Sequence, residues 1–316
     1  MKAVLDEVLG IHHVTAIAGD PQRNIDFYAR LLGLRLVKRT VNFDEPNTYH
    51  LYYGDEIGHP GTILTFFPWP TAPHGRLGSG QLTVTSFAIP QESVQFWIDR
   101  LKQAEIEFSG PRDRFGETAL AFSDPDGLRL ELIATTKANG NHGWKNGYVP
   151  SKYAIRCLYG VTLTETSLNG THELLLKMGF HQKTRQESCH RYDVGDGSAG
   201  KIVDVLPIPN LPRGQIAVGS VHHVAWRTPS DDEQKEWRRR LIDVDLNVTP
   251  VIDRKYFRSI YFREPGGVLF EIATDPPGFA VDELSTQLGT KLMLPPWLES
   301  TRESIEQNLP TIQLST

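Results

Sequence analysis

Two histidine pairs and one glutamate in an apolar run carry the most chemistry in this sequence. His12-His13 lies in Gly10-Ile11-His12-His13-Val14, and the pattern returns 210 residues later as Ser220-Val221-His222-His223-Val224. Glu271 lies in Val268-Leu269-Phe270-Glu271-Ile272-Ala273. A carboxylate in such a run is costly to bury unless it is paired or bound to a metal. Neighbouring side chains of a strand point to opposite faces, so each pair is expected to send only one ring into a given cavity, with the other outside the metal's immediate ligands or on the far face. One imidazole from each pair, together with Glu271, makes a facial triad with open coordination positions. That donor set suits Fe(II) and oxygen chemistry, and Mn(II) tolerates it as well. The pattern alone does not choose between the two histidines of a pair.

The elements that must position these residues repeat. Asp124-Pro125-Asp126-Gly127-Leu128-Arg129-Leu130-Glu131 returns 140 residues later as Glu264-Pro265-Gly266-Gly267-Val268-Leu269-Phe270-Glu271. The unequal offsets point to a smaller unit of about 60 to 70 residues, repeated four times. Each unit opens with a strand-like run: 10–18, 81–89, 154–164 and 221–228. A helical pattern follows at 21–32, 91–104, 167–178 and 230–241. Pro21 and Pro90 stand at helix starts and Gly33 and Gly179 at helix ends. Short strands close each unit, at 42–53 and 62–67, 118–122 and 128–133, 202–206, and 259–263 and 268–273. Gly61, Gly127, Gly200 and Gly267 align the last strands, which brings Thr65, Glu131, Asp204 and Glu271 to one position. If units one and four share a sheet, its cavity holds both histidine pairs, Thr65 and Glu271. Units two and three have no histidine on their first strands and are expected to hold no metal, with Glu131 in a structural hydrogen bond or ion pair.

The expected fold class is α+β: four βαβββ modules in two tandem domains, forming curved, barrel-like mixed sheets. The expected boundaries are 8–135 for the first pair of modules, 136–152 for an Asn- and Gly-rich linker, 153–280 for the second pair, and 281–316 for a tail with a helix at 297–308. The 39% apolar content is enough to build such cores. A net charge of -5 without a basic run argues against nucleic acid and against an anionic membrane surface. Cys157 and Cys189 form no paired motif and read as reduced thiols. No signal peptide and no long apolar span is evident, so the expected location is cytoplasmic. A homo-oligomer is left open.

Taken together, these motifs resemble the vicinal-oxygen-chelate superfamily, and within it the ring-cleaving dioxygenases of hydroquinones and catechols. The likeness is carried by Gly10-Ile11-His12-His13-Val14-Thr15, by Tyr49-His50-Leu51-Tyr52-Tyr53-Gly54-Asp55, and by Pro60-Gly61-Thr62 leading to Phe66-Phe67-Pro68. In the second half it is carried by Val221-His222-His223, by Asp253-Arg254-Lys255-Tyr256-Phe257, and by Glu264-Pro265-Gly266-Gly267 leading to Glu271. The resemblance implies that the second histidine of each pair binds metal, giving His13, His223 and Glu271 as ligands. It implies supporting or catalytic roles for His12, Thr15, His222, Arg254 and Tyr261, with Tyr256 a further aromatic candidate. The implied partners are a small aromatic substrate and O2, in degradation or detoxification of aromatic compounds. A glyoxalase-like isomerase or lyase would need a fourth ligand where Thr65 stands. A non-catalytic small-molecule-binding protein would not need to keep the triad.

Overall fold

The computed structural model describes residues 7–137 and 143–314. The signal-peptide reading of residues 1–6 and the middle of the expected linker, 138–142, lie outside the described residues.

The first unit contributes β1 (Ile11–Ala18), β2 (Arg35–Asn42), β3 (Glu45–Gly54) and β4 (Ile63–Pro68). The second contributes β5 (Gln81–Ile89), β6 (Phe108–Arg114), β7 (Glu117–Ser123) and β8 (Arg129–Ala134). The third contributes β9 (Cys157–Glu165), β10 (His181–Gln186), β11 (Cys189–Asp193) and β12 (Ile202–Pro207). The fourth contributes β13 (Ser220–Thr228), β14 (Ile252–Asp253), β15 (Arg258–Arg263) and β16 (Leu269–Thr274). One helix follows the first strand of each unit: α1 (Pro21–Ile25, continued by a π-helical turn at Asp26–Leu31), α2 (Val94–Gln103), α3 (Asn169–Lys177) and α4 (Asp231–Ile242). The helix expected in the tail is a 3-10 turn at Pro296–Thr301 running into α5 (Arg302–Asn308). The α+β class and the four modules are therefore present, as two curled eight-stranded mixed sheets.

Units one and four form one sheet, in the order β14-β15-β16-β13-β1-β4-β3-β2. Units two and three form the other, in the order β10-β11-β12-β9-β5-β8-β7-β6. In both, the first strands of two units meet antiparallel at the centre, and each runs parallel to its own unit's last strand. Strand alternation divides the side chains between two environments. Val14, Ala16, Leu64, Phe66, Val224 and Trp226 join a main core that also takes in Phe87, Leu130, Leu158 and Val203 of the other sheet. The opposite face of the first sheet buries Ile63, Ala225 and Ala273 with Tyr52, Tyr256 and Phe257.

The glycines used to align the units share one conformation. Gly61, Gly127, Gly200 and Gly267 have φ of 90°, 90°, 87° and 110°, in the region open to glycine and strained for other residues. For Gly127 a Cβ would meet nothing within 4 Å, so the backbone angle rather than crowding requires glycine there. The registers then bring Thr65 opposite Thr15, Glu131 opposite Ser86, Asp204 opposite Thr162 and Glu271 opposite Ala225. The four acidic or hydroxylated residues occupy one equivalent position in their sheets.

The strands missing from the sequence reading are mostly polar. Along β10 five consecutive residues are exposed, and β6 is nearly as open. Edge strands of this kind carry little apolar alternation to detect.

Candidate metal centre

His13 on β1, His223 on β13 and Glu271 on β16 come together inside the first sheet, with relative exposures of 2%, 5% and 0%. His223 Nε2 lies 2.9 Å and His13 Nε2 3.4 Å from Glu271 Oε2, and the two Nε2 atoms are 3.3 Å apart. Three donors held at about 2.1 Å from one ion would be separated by about 3.0 Å in a facial octahedral arrangement and about 3.4 Å in a tetrahedral one. The three atoms form a triangle of that size. Glu271 Oε2 makes no well-aligned hydrogen bond despite its short contact with His223, as expected of lone pairs converging on a common point. Glu271 Oε1 accepts from the Ser259 hydroxyl at 2.5 Å, which fixes the carboxylate plane. These residues fit a divalent cation.

His12 and His222 were expected outside the metal's immediate ligands or on the far face, and the structure gives them the first of these places. His12 Nδ1 lies 2.9 Å from His13 Nδ1, and His222 Nδ1 lies 2.7 Å from His223 Nδ1. The cause is a pair of β-bulges. The β1–β13 register skips His12 between Ile11 and His13, and it skips His222 between Val221 and His223. A bulge adds one residue to one strand and re-aims its side chain. Each outer histidine can therefore engage Nδ1 of the inner one. That leaves Nε2 of His13 and of His223 free to meet an ion, the arrangement by which supporting groups orient metal-binding imidazoles.

Burial holds His12 well below the usual imidazole range, aided by the positive potential of His13. Burial and then His223 lower His222 to about 3. Burial lowers His223 too, against the opposing pull of Glu271. Glu271 is raised by burial, but His13 and His223 outweigh this and hold it well below its ordinary value.

The triad lies at a cavity of about 250 Å³ whose walls include Phe43, Phe67, Trp69, Phe257 and Leu269. An apolar cavity of about 150 Å³ already accepts a benzene ring. His222, Arg254 and Tyr261 also line it. Arg254 Nε donates to the Tyr261 hydroxyl at 3.2 Å, and its Nη1 pairs with Asp44 at 3.0 Å. Burial lowers the Arg254 guanidinium, but Tyr261 and Asp44 outweigh that and raise it, so it stays charged. Thr15 is fully buried and shares a hydrogen bond with Thr65. His12 is buried behind the cavity, with its ring centroid 5.1 Å from that of Phe257.

Tyr256 is not brought into the site. Its ring is fully buried, and its hydroxyl donates to Asp282 at 3.1 Å. Phe257, the next residue, takes the cavity wall instead. His50 and Tyr52 were quoted only as part of a motif, yet both line the cavity. Register could have found them. Tyr52 pairs with Thr65 as Tyr261 pairs with Glu271, and His50 stands two residues before Tyr52 as Ser259 stands before Tyr261.

The second sheet fills the equivalent position differently. Val84 and Gly160 stand at the places of His13 and His223. Glu131 pairs with Arg112 at 2.7 Å and Arg114 at 3.3 Å, and accepts from Ser86. Asp204 pairs with Arg191 at 2.8 Å and Arg114 at 2.9 Å.

Residues 10–132 match the model of the Glyoxalase/Bleomycin resistance protein/Dioxygenase superfamily. Over 304 residues the chain is 47% identical to the "Putative ring-cleaving dioxygenase MhqO" of Bacillus subtilis (strain 168), covering 96% of each protein. The chain belongs to this superfamily. A further member is the chlorohydroquinone/hydroquinone 1,2-dioxygenase of Sphingobium indicum, 35% identical over 318 residues, with 96% of this chain and 97% of that protein covered. A crystal structure of a "putative dioxygenase" from Bacillus subtilis subsp. subtilis str. 168 superposes with a TM-score of 0.94 at 46% identity, covering 98% and 99% of the two chains. Glyoxalase I from Zea mays superposes with a TM-score of 0.62 at 15% identity, covering 84% and 92%, and shares the superfamily fold. Among the described residues no helix is long and apolar enough to cross a membrane.

Proposed function

We propose that this protein is an Fe(II)-dependent dioxygenase that opens hydroquinone- or catechol-type rings with O2, in the degradation or detoxification of aromatic compounds. The observation that carries this reading is the convergence of His13, His223 and Glu271 on one point beside an aromatic-walled cavity. The names of the relatives support the substrate class. Fe(II), when bound, would hold a substrate hydroxyl and O2 side by side and carry electrons between them. Mn(II) suits the same donors.

The chain's own residues do the rest. Phe67, Trp69 and Phe257 form walls that receive a flat ring and exclude water. Arg254 offers a fixed cation for negative charge that develops on substrate oxygen, where low dielectric strengthens its effect. The Tyr261 hydroxyl accepts from Arg254 and so keeps its own proton to donate. His222 is neutral and in the wall; its Nδ1 accepts from His223 Nδ1–H, so its proton is on Nε2, where it can orient a substrate oxygen by donating to it. A glyoxalase-like reaction would need a fourth protein ligand. Thr65 stands at that position, with its hydroxyl between Thr15 and His50.

The test is oxygen uptake by protein loaded anaerobically with Fe(II) and given hydroquinone, catechol and substituted dihydroxybenzenes. Consumption of O2 with loss of the aromatic absorbance is expected. No uptake across the panel would sink the dioxygenase reading.

A further inference from the structure

The same cavity is lined by the end of a hydrogen-bonded chain that the mechanism above does not use. Thr15 Oγ1 lies 2.9 Å from Thr65 Oγ1, Thr65 Oγ1 lies 2.8 Å from His50 Nε2, and His50 Nδ1 lies 2.8 Å from the Tyr52 hydroxyl. The His50 ring is held between Tyr52 and Phe67, at centroid distances of 4.0 and 4.2 Å. Thr15 and Thr65 are completely buried, and Tyr52 is 2% exposed.

The direction of this chain follows from counting protons. Two threonine hydroxyls, one imidazole N–H and one phenol supply four donors for three links, so one proton is left over. Burial keeps His50 neutral, with a single N–H to give. If Tyr52 donated to His50 and His50 to Thr65, the spare proton would be on Thr15 or, where Thr65 accepts from both sides, on Thr65. Both hydroxyls are fully buried, and among the described residues neither has a partner outside this chain. A fully buried donor without an acceptor is disfavoured. In the other direction Thr15 donates to Thr65, Thr65 to His50 Nε2, and His50 Nδ1–H to Tyr52. The spare proton is then on Tyr52, which lines the cavity.

We propose that Tyr52, backed by His50 and Thr65, is a substrate-binding residue that donates a hydrogen bond to the ring oxygen not held by the metal. The inference rests on the ring-cleaving reading above and extends it to the far end of the substrate. Tyr52 and Tyr261 occupy equivalent places in units one and four. One is backed by an imidazole and the other by a guanidinium, and both keep a proton for the cavity. A site with two such donors selects rings carrying a second oxygen, because a ring without one leaves Tyr52 unpaired.

The experiment measures dissociation constants anaerobically, by calorimetry on Fe(II)-loaded protein, for hydroquinone, 4-methoxyphenol and 4-methylphenol. Tyr52→Phe should weaken hydroquinone and 4-methoxyphenol about tenfold, the worth of one hydrogen bond, and should not weaken 4-methylphenol, whose complex loses an unpaired hydroxyl. His50→Gln should show the same selectivity. Iron content and circular dichroism check that each variant is folded and loaded. Equal weakening of all three ligands would mean that Tyr52 only packs, and no weakening would mean that it makes no contact. Loss for hydroquinone but not for 4-methoxyphenol would mean that Tyr52 accepts. Any of these results overturns the proposal. Oxygen uptake by the unaltered protein is read separately, so failure of ring cleavage is distinguished from failure of the Tyr52 contact.

Discussion

Replacing Glu165 with glutamine should remove a large part of the pH dependence of stability. Glu165 ends β9 and is 1% exposed, and among the described residues neither of its carboxylate oxygens has a well-aligned hydrogen-bond partner. It lies against Glu264, whose own oxygens accept from the Val268 N–H and the Thr171 hydroxyl. Both oxygens of Glu264 are thus already engaged, and Glu165 is the member that keeps a proton. Burial first, and the charge of Glu264 second, raise Glu165 from 4.5 to about 8. The folded protein holds this proton more tightly than the unfolded chain does. The associated stability is complete below about pH 4.5 and drains away as pH rises toward 8. At pH 7 the loss amounts to about 2 to 3 kcal/mol, allowing for sharing of the proton with Glu264. Glutamine is uncharged at every pH and escapes that loss. The variant should match the wild type at pH 5 and melt about 4 °C higher at pH 7, on the usual unfolding entropy for a chain of this length. Melting temperatures of both proteins from pH 5 to 8.5 provide the test, and metal binding cancels in their difference. A difference that stays constant across this range would refute the assignment of the proton to Glu165.

The metal ligands can be separated from their supports. After anaerobic loading, metal analysis should find His223→Ala without stoichiometric iron and His222→Ala retaining most of it. The reverse result would exchange their roles. In the second sheet, Arg191→Leu leaves the buried Asp204 with Arg114 alone and should cost about 3 to 5 kcal/mol in urea unfolding, while iron stoichiometry is unchanged. Lys38 is completely buried between Asp282 and Glu283, where it ties the tail to β2. Lys38→Met should speed proteolysis near Leu284, which is 69% exposed, and an unchanged cleavage rate would refute the clamp.

The repeat was legible because its punctuation is physical. A glycine that must adopt positive φ cannot drift in sequence without breaking the turn it makes, so Gly61, Gly127, Gly200 and Gly267 gave a dependable alignment. From it Thr65, Glu131, Asp204 and Glu271 were assigned to one position, as the registers have them. The bulges were not legible. Nothing in Ile11-His12-His13 distinguishes a regular strand from one that carries an extra residue, because the bulge is a property of the β1–β13 pairing. His50 and Tyr52 escaped notice because their place in the site depends on the β3–β4 register. Tyr256 was drawn in by its closeness in sequence to Arg254. The chain turns there, with the Tyr256 N–H bonded to the Arg254 carbonyl, and Tyr256 is directed toward Asp282 instead.

The comparison of the two sheets explains why only one of them is suited to chemistry. Both bury carboxylates at the same position, and a buried carboxylate needs positive charge nearby. The second sheet draws that charge from its own chain. Arg114 bridges Glu131 and Asp204, and Arg191 closes on Asp204 with two nitrogens. Every carboxylate oxygen of Glu131 and Asp204 is engaged by an arginine or by Ser86. In the first sheet Glu271 meets two imidazoles, both oriented through Nδ1, and the uncharged Ser259 hydroxyl, and among the described residues one of its oxygens lacks a well-aligned partner. That charge balance is left for an ion to finish. An ion, unlike a guanidinium, keeps coordination positions for substrate and for a second reactant. Neutralising the carboxylates with arginines from β6 and β11, where the first sheet sets histidines at the places of Val84 and Gly160, thus separates a structural sheet from one suited to a reaction.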